Sequence, residues 1–287
     1  MTMTTTLNLI GAGHVGRALG RLFQARGVFE VQDVLTRTRA HARAAVGFIG
    51  AGRVVDAVQT MRPADVWMLA VADDQIAPVA DALAASGLAD GAIVFHCSGA
   101  KASNELAPLA ARGASVASVH PVRSFADPDA VANAFDGTFC GVEGDPDALA
   151  LLLPAFTHIG ARPVTIDAAA KTVYHAASVF ASNYLVTVLD AALRAYEAAG
   201  IAPEVARELA RPLAGETLAN VLRLGPERAL SGPIARGDAA TVARQQAAVK
   251  AWNAPAGQLY EALADATWDL AGRKHAIKSA INGEGRE

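Results

Sequence analysis

The chain has 287 residues, 52% of them hydrophobic and 18% charged, with a formal net charge of −3 at pH 7. That length can bury a substantial core in one large domain or two ordinary ones. Acids and bases are spread along it, and its two cysteines, Cys97 and Cys140, make neither a disulfide framework nor a metal motif, so nucleic-acid, membrane-surface and metal-centred functions are not expected.

The N-terminal MTMTTTLNLI lacks the basic start and apolar core of a signal peptide, and a cytoplasmic location is expected. Leu7–Ile10 reads as a strand. Gly11-Ala12-Gly13-His14-Val15-Gly16 follows it as a complete G-x-G-x-x-G and opens a helical stretch, His14–Arg26, with apolar Val15, Leu19 and Leu22. A strand, a tight glycine turn and a helix whose first amides face a pyrophosphate are what dinucleotide binding requires. Gly11 allows the turn, Gly13 lets the pyrophosphate approach, and Gly16 lets the helix pack on the sheet. A second IGAG, at residues 49–52, follows the helical stretch Ala40–Val46 and has Val55 at the third glycine position. It is read as a helix stop leading into a short strand, Arg53–Val55.

The second strand, Phe29–Leu35, leaves as Thr36-Arg37-Thr38-Arg39. Asp33 has the spacing of a ribose-binding acid but falls inside the strand. Arg37 gripping a 2′-phosphate, with hydroxyls from Thr36 and Thr38, predicts NADP (NADPH) as cofactor; the alternative is that Arg37 and Arg39 are solvated loop charges. Further strands are predicted at Val66–Val71, Ala92–His96, Val116–Val119, Phe139–Val142 and Pro163–Ile166, with a helix at Ile76–Ser86. This alternation predicts an α/β, Rossmann-type doubly wound, mostly parallel sheet. Beyond residue 167 the chain is Ala- and Leu-rich and is broken mainly at Pro203, Pro212, Gly225–Pro226, Gly232–Pro233 and Pro255. An all-helical C-terminal domain is expected there. The predicted organisation is a dinucleotide-binding domain at 1–166 and a helical substrate and dimerisation domain at 168–287. The longest apolar stretch, around Ala176–Leu189, is shorter than a bilayer and interrupted by Ser182 and Asn183, so no membrane span is expected.

Ligands cross the carboxyl ends of the strands in such sheets. Val71, Ala72 and Ser98 are therefore expected along the cofactor, while Asp73 is read as a cap for the helix at Ile76. Cys97 has no evident activating partner. His120 is placed to hydrogen-bond a substrate or move a proton, or else to order the turn before Pro121. Arg123 is placed to hold a substrate carboxylate, or else faces solvent. In a regular helix Lys171, His175, Ser178 and Ser182 share a stripe about 60° wide, with Asn183 further round. Lys171 and His175 are read as the polarising or proton-transferring pair, with Ser178, Ser182 and Asn183 towards the substrate. The alternative is a solvent-facing stripe.

Taken together, GAGHVG, AVADDQI, HCSGA, HPVRSFAD, YHAASVFASNY and SGPIARGD resemble a family of uncharacterised bacterial Rossmann-like proteins assigned as NADP-dependent oxidoreductases. The family joins a Rossmann domain to a helical domain like the C-terminal domain of 6-phosphogluconate dehydrogenase, and the likeness spans most of residues 6–265. His120-Pro121 is similar to the His-Pro of prephenate dehydrogenase, where the histidine contacts the substrate hydroxyl, although Val122-Arg123-Ser124 departs from the glycine-containing continuation there. Lys171 is similar to the catalytic lysine of 3-hydroxyacid dehydrogenases, with His175 in place of their asparagine. The resemblance implies hydride transfer between NADP and a small carbonyl, hydroxyl or imine compound in a cleft between the domains, and a homodimer formed through the helical domain. It implies for Arg236 and Asp238 a dimer contact or a place at the partner's active site. Two rival readings keep the glycine turn: an NADP(H)-binding sensor or scaffold without turnover, and a deazaflavin-dependent reductase.

Overall fold

The computed structural model describes residues 4–282, and side chains through residue 272. Residues 1–3 and 283–287, the outer ends of the two expected domains, lie outside the described residues. The chain forms two compact units, Met1–Phe180 and Ala181–Glu287.

In the first unit the elements run β1 (Thr6–Ile10), α1 (His14–Ala25), β2 (Glu30–Leu35), α2 (Arg39–Ile49), β3 (Arg53–Val55), β4 (Val66–Leu69), α3 (Ile76–Ser86), β5 (Ile93–His96) and α4 (Ala107–Ala110). They continue as β6 (Ser115–Pro121), α5 (Pro128–Asn133), β7 (Phe139–Gly144), α6 (Pro146–His158), β8 (Arg162–Thr165) and α7 (Lys171–Val179). The strands make one eight-stranded sheet in the order β3-β2-β1-β4-β5-β6-β7-β8. Neighbours are parallel except β6 and β7, which pair antiparallel with His120 opposite Gly141. This is the expected doubly wound, mostly parallel sheet. The strand order turns back between β1 and β4, and at that point a crevice opens at the carboxyl ends of the strands.

Near-continuous apolar runs explain the strands. Leu7, Leu9, Val34, Trp67, Met68, Val94 and Phe95 are all fully buried, because helices cover both faces of a parallel sheet. On one face α1 buries Leu19, Leu22 and Phe23, and the Phe23 ring meets Phe156 of α6 edge-on at 5.2 Å. α2 ends at Gly50, which adopts φ +83°. The second IGAG is therefore the expected helix stop, and a side chain at Gly52 (φ +105°) would press on Val34.

Asp33 lies within β2 and has no exposed side-chain surface. Arg53 donates to both of its oxygens at 2.9 Å, and Arg62 adds its backbone N–H at 2.7 Å and its guanidinium. The carboxylate thus ties β2, β3 and the chain before β4 together inside the sheet. Burial alone would raise its pKa, but the bonds from Arg53 and Arg62 outweigh it and hold the pKa at about 2.

The sheet ends at Thr165, near the expected boundary, but the first compact unit continues to Phe180 because α7 packs against the sheet. The helical run Ala168–Ala198 includes a π-helical turn at Phe180–Tyr184. At 31 residues it is long and apolar enough to cross a membrane by length and composition, longer than the apolar stretch read from sequence. It carries the buried Lys171 and the paired Asp190 and Arg194.

The second unit contains α8 (Leu185–Ala198), α9 (Pro203–Leu224), α10 (Pro226–Ala229), α11 (Gly232–Ala235), α12 (Ala239–Trp252) and α13 (Ala254–Asn282), with no strand among its described residues. Ile234, Val242, Ala264 and Ala271 form its small core. The SGPIARGD stretch is the connection into α12: Gly232 and Gly237 take positive φ, and Asp238 caps α12 by accepting the Thr241 N–H at 3.0 Å.

Replacing Asp33 by Asn should cost about 2 kcal/mol, less than for a fully buried pair because both arginines are half-exposed. The carboxylate's contribution is present above pH 3.8 and lost as pH falls through about 2. Urea melts of wild type and variant at neutral pH and at stepwise lower pH read this directly; equal midpoints at neutral pH would contradict it.

Candidate active site

The crevice holds two adjoining hollows, both lined entirely by the first unit. The larger, about 900 Å³, runs from the glycine turn past Leu35, Thr36 and Arg37 to His41 and Asp56. The smaller, about 380 Å³, is lined by His14, Ala72, Ser98, Gly99, His120, Arg123 and His175 among others. Gly13, His14, Ala70, Val71 and Ala72 border both.

The glycine turn has the geometry its sequence implies. Gly11 stands at φ +83°, and a Cβ there would lie 2.6 Å from the Ala70 carbonyl oxygen. A Cβ at Gly16 would lie 2.6 Å from the Gly11 carbonyl oxygen, so only glycine lets α1 rest on the turn. Around Gly13 the space is open, with nothing within 4 Å of where a Cβ would stand. Gly13 caps α1 without a side-chain acceptor, leaving first-turn amides directed at the groove. Arg17, one turn on, lines the same groove, and its Nε is buried without a hydrogen-bond partner. The residues present fit a dinucleotide.

At the far end of the groove Thr36 and Arg37 line the wall and Thr38 does not. The Thr36 hydroxyl donates to the Thr38 carbonyl at 2.8 Å, and Thr38 Oγ1 caps α2 by accepting the His41 N–H at 3.2 Å. The Thr36 proton is thus held within the turn, and Thr38 serves the helix cap outside the groove lining. Arg39 is ion-paired with Asp56. Arg37 is exposed and has no ion pair among the described residues, so the loop offers one uncommitted guanidinium beside His41. Sequence reasoning missed Arg17 and His41, since only the fold brings them to the groove.

In the smaller hollow, the loop after β5 is organised from within. His96 is fully buried, donates from Nε2 to the Ala102 carbonyl at 3.1 Å, and accepts the Ser98 N–H on Nδ1. Burial lowers its pKa to about 4. Ser98 lines the pocket as expected, but its hydroxyl accepts the amides of Ala100 and Lys101. Cys97 also lines the pocket, and burial pushes its thiol up to about 12, which suits its reading as a bystander. His14 donates from Nδ1 to the Phe125 carbonyl at 2.6 Å, anchoring the loop after β6. Arg123 lines the pocket, with one guanidinium nitrogen held by the Ala134 carbonyl and Thr138.

His120 lies on β6 and His175 on α7, with ring centroids 5.7 Å apart. The Tyr174 hydroxyl meets His120 Nδ1 at 3.0 Å. Burial first, then the neighbouring His175 and Lys171, lowers the pKa of His120 to about 4, so the ring is neutral near pH 7. Two glycines make room: a Cβ at Gly99 would run into both imidazoles, and one at Gly141 would run into the Tyr174 hydroxyl.

Lys171 does not line the pocket. It is 1% exposed, pairs with Glu143 on β7 at 3.5 Å, and donates to Ser118 Oγ on β6. Glu143 in turn accepts the Ser103 N–H at 2.8 Å and its hydroxyl at 2.7 Å. Burial depresses the lysine pKa, and Glu143 offsets it. Lys171 therefore acts as a buried dock for α7 and a positioning residue for its neighbours. Ser178 does not line the pocket, and Ser182 and Asn183 are exposed. The expected stripe assumed a regular helix through residue 183, whereas the π-helical turn from Phe180 changes the phase before Ser182 arrives.

Removing Lys171 alone leaves Glu143 buried and unpaired. Lys171→Met should cost roughly 3 kcal/mol, and Lys171→Met with Glu143→Gln should recover part of that loss. A double-mutant cycle by chemical denaturation measures the coupling, and additive losses would contradict it.

No curated protein matches the sequence. Among solved structures, protein TM1727 from Thermotoga maritima is 25% identical, with 94% of this chain and 100% of that one covered and a TM-score of 0.74. The "putative NADP oxidoreductase" BF3122 from Bacteroides fragilis is 20% identical, with 93% and 98% covered and a TM-score of 0.72. A reductive aminase from Aspergillus terreus, in complex with NADPH and ethyl-5-oxohexanoate, is 17% identical over 99% and 95%, with a TM-score of 0.62. At these identities the last two likenesses establish the fold. Residues 3–121 match the Rossmann-like domain, and residues 138–267 match a domain of unknown function, DUF2520, whose span takes in β7, β8 and α7. The chain thus matches a Rossmann-like domain in its first part and a DUF2520 domain in its second.

Proposed function

We propose that the protein is an NADP-dependent oxidoreductase that reduces or oxidises a small molecule in the pocket beside Gly99. The observation that carries this reading is the continuity of the groove with that pocket: the glycine turn, His14, Val71 and Ala72 border both. Nicotinamide supplies a hydride when bound, and the chain's own residues supply binding, orientation and polar contacts. Gly11, Gly13, Gly16 and the first turn of α1 hold the pyrophosphate, with Arg17 as a further donor. Arg37 selects the 2′-phosphate, because Arg39 is committed to Asp56. His120 and His175 face the substrate, and Lys171 holds α7 in place behind them.

Support also comes from the fold likeness to BF3122 and to the NADPH-bound reductive aminase, each named for such chemistry. The absence of an acid at the exit of β2 favours NADP over NAD, since Asp33 is spent on Arg53 and Arg62. Both cysteines are free, as suits a reducing cytoplasmic setting. We read the exposed apolar side chains Val205, Leu209 and Leu213 of α9, spaced four residues apart, as a homodimer face; Leu213 is 63% exposed. Sedimentation velocity decides that point, since a monomer would exclude it.

Arg37→Asp should raise the dissociation constant for NADPH by about tenfold or more and that for NADH by much less. Calorimetric titration of wild type and variant with both nucleotides tests it. Equal losses for the two nucleotides would remove Arg37 from the selectivity argument.

A further inference from the structure

Arg123 is the one lysine or arginine among the described residues that line the smaller hollow, and it does not line the groove. Its guanidinium is only half-committed. Nη1 donates to the Ala134 carbonyl at 2.6 Å and to Thr138 Oγ1 at 3.1 Å. Nε and Nη2, which together make one flat two-donor edge of the group, have no protein partner among the described residues. Both acceptors are neutral, so the charge is held in place without being neutralised. Elsewhere in this chain the same edge takes a carboxylate: that of Arg53 grips both oxygens of Asp33, and that of Arg112 both oxygens of Asp90.

The segment that carries Arg123 is fixed on both sides. The Arg123 N–H donates to the Pro121 carbonyl at 3.1 Å, and the Val122 N–H to the Phe139 carbonyl at 2.8 Å. Two residues on, the Phe125 carbonyl accepts from His14 in the first turn of α1. A guanidinium positioned in this way loses little freedom when an anion docks. Burial keeps His120 neutral near pH 7 and Lys171 is spent on Glu143, so Arg123 supplies the pocket's fixed positive charge. Asp73, the one carboxylate in the lining, is exposed, and solvent screens its repulsion. A hollow of about 380 Å³ is of the size that takes a small molecule.

We propose that the Nε–Nη2 edge of Arg123 grips the carboxylate of a small oxo acid, and that this fork selects acids over neutral carbonyl compounds of the same shape. The carboxylate takes no part in the reaction; held on Arg123, it fixes the orientation of the rest of the molecule in the pocket. A phosphate of the nucleotide would offer the same edge similar chemistry, but Arg123 stands outside the groove, and the test separates the two sources. That the bound acid is the reaction partner rests on the oxidoreductase reading, while the anion site itself does not.

Arginine Nε–H spectra of nitrogen-labelled protein, with and without saturating NADP+, test this, the Arg123 signal being assigned by its loss in Arg123→Lys. Pyruvate, 2-oxobutanoate and 4-oxopentanoate are titrated beside their primary amides. At least one acid should shift the Arg123 signal and bind about tenfold or more tightly than its amide. Arg123→Gln should abolish that preference and leave the affinities for the amide and for NADP+ within about twofold of wild type. Three silent acids would overturn the proposal, as would an amide that binds as well as its acid or a preference that survives in Arg123→Gln. So would an Arg123 signal that NADP+ alone saturates, since the guanidinium would then belong to the nucleotide. If Arg123→Gln does not fold, the comparison of acid with amide on wild type still decides. The Gly11–Gly16 amides report NADP+ binding separately: an acid held at Arg123 in a protein blind to NADP+ would keep the anion site and remove the oxidoreductase reading.

Discussion

The ion pair between Lys171 and Glu143 is the constraint on which the candidate site depends. It fastens the first turn of α7 to β7, and through Ser118 it reaches β6 as well. His175 is one helical turn beyond Lys171 on the same face, so docking the lysine delivers the imidazole to the pocket. Tyr174, its neighbour, reaches His120 by the same docking. Burying two charges costs several kcal/mol on each side, and the bonds from Ser103 to Glu143 and from Lys171 to Ser118 offset that cost. Glu143 also accepts from the chain following the Gly99 loop, so one carboxylate aligns the loop and the helix that face each other across the pocket.

Around this dock the first unit divides its polar work between two ends of one crevice. The groove end offers free first-turn amides, an orphan Arg17 Nε and an uncommitted Arg37, with Asp56 and Asp74 also in its wall. At the pocket end, burial keeps His96 and His120 neutral near pH 7, and their neighbours assign their protons. His96 and His120 both have pKa values near 4 through burial, yet they differ in use. His96 has both nitrogens satisfied by its own loop, while His120 has one satisfied by Tyr174 and one directed at the pocket. Gly99 and Gly141 belong to the same design, since a methyl group at either would displace the rings that define it.

Most of the fold was legible in the sequence because strands in a helix-covered parallel sheet are written as apolar runs between turn residues. The glycine turn after β1 was legible for the same local reason: Gly11 and Gly16 stand where a Cβ would collide with backbone. The second IGAG, too, could be recognised as a helix stop from the helical residues before it. What could not be read was what depends on distant partners. Nothing near Lys171 in the sequence announces Glu143, 28 positions earlier on β7, so the lysine looked like a pocket residue when it is a buried dock. Ser182 and Asn183 were placed by a regular helical period, and the π-helical turn at Phe180–Tyr184 breaks that period with no proline or glycine to mark it. Thr38 carried the right chemistry for a phosphate, but it caps a helix and does not line the groove.

We propose that the groove and the pocket form one continuous site for NADP and its reaction partner. A crystal structure of the protein grown with NADP+ tests it most directly. The expected result is pyrophosphate at the Gly11–Gly16 turn, the 2′-phosphate at Arg37, and the nicotinamide end in the pocket lined by Gly99, His120 and His175. A nucleotide bound with its nicotinamide end outside that pocket, or a crevice that takes up none at all, would contradict it.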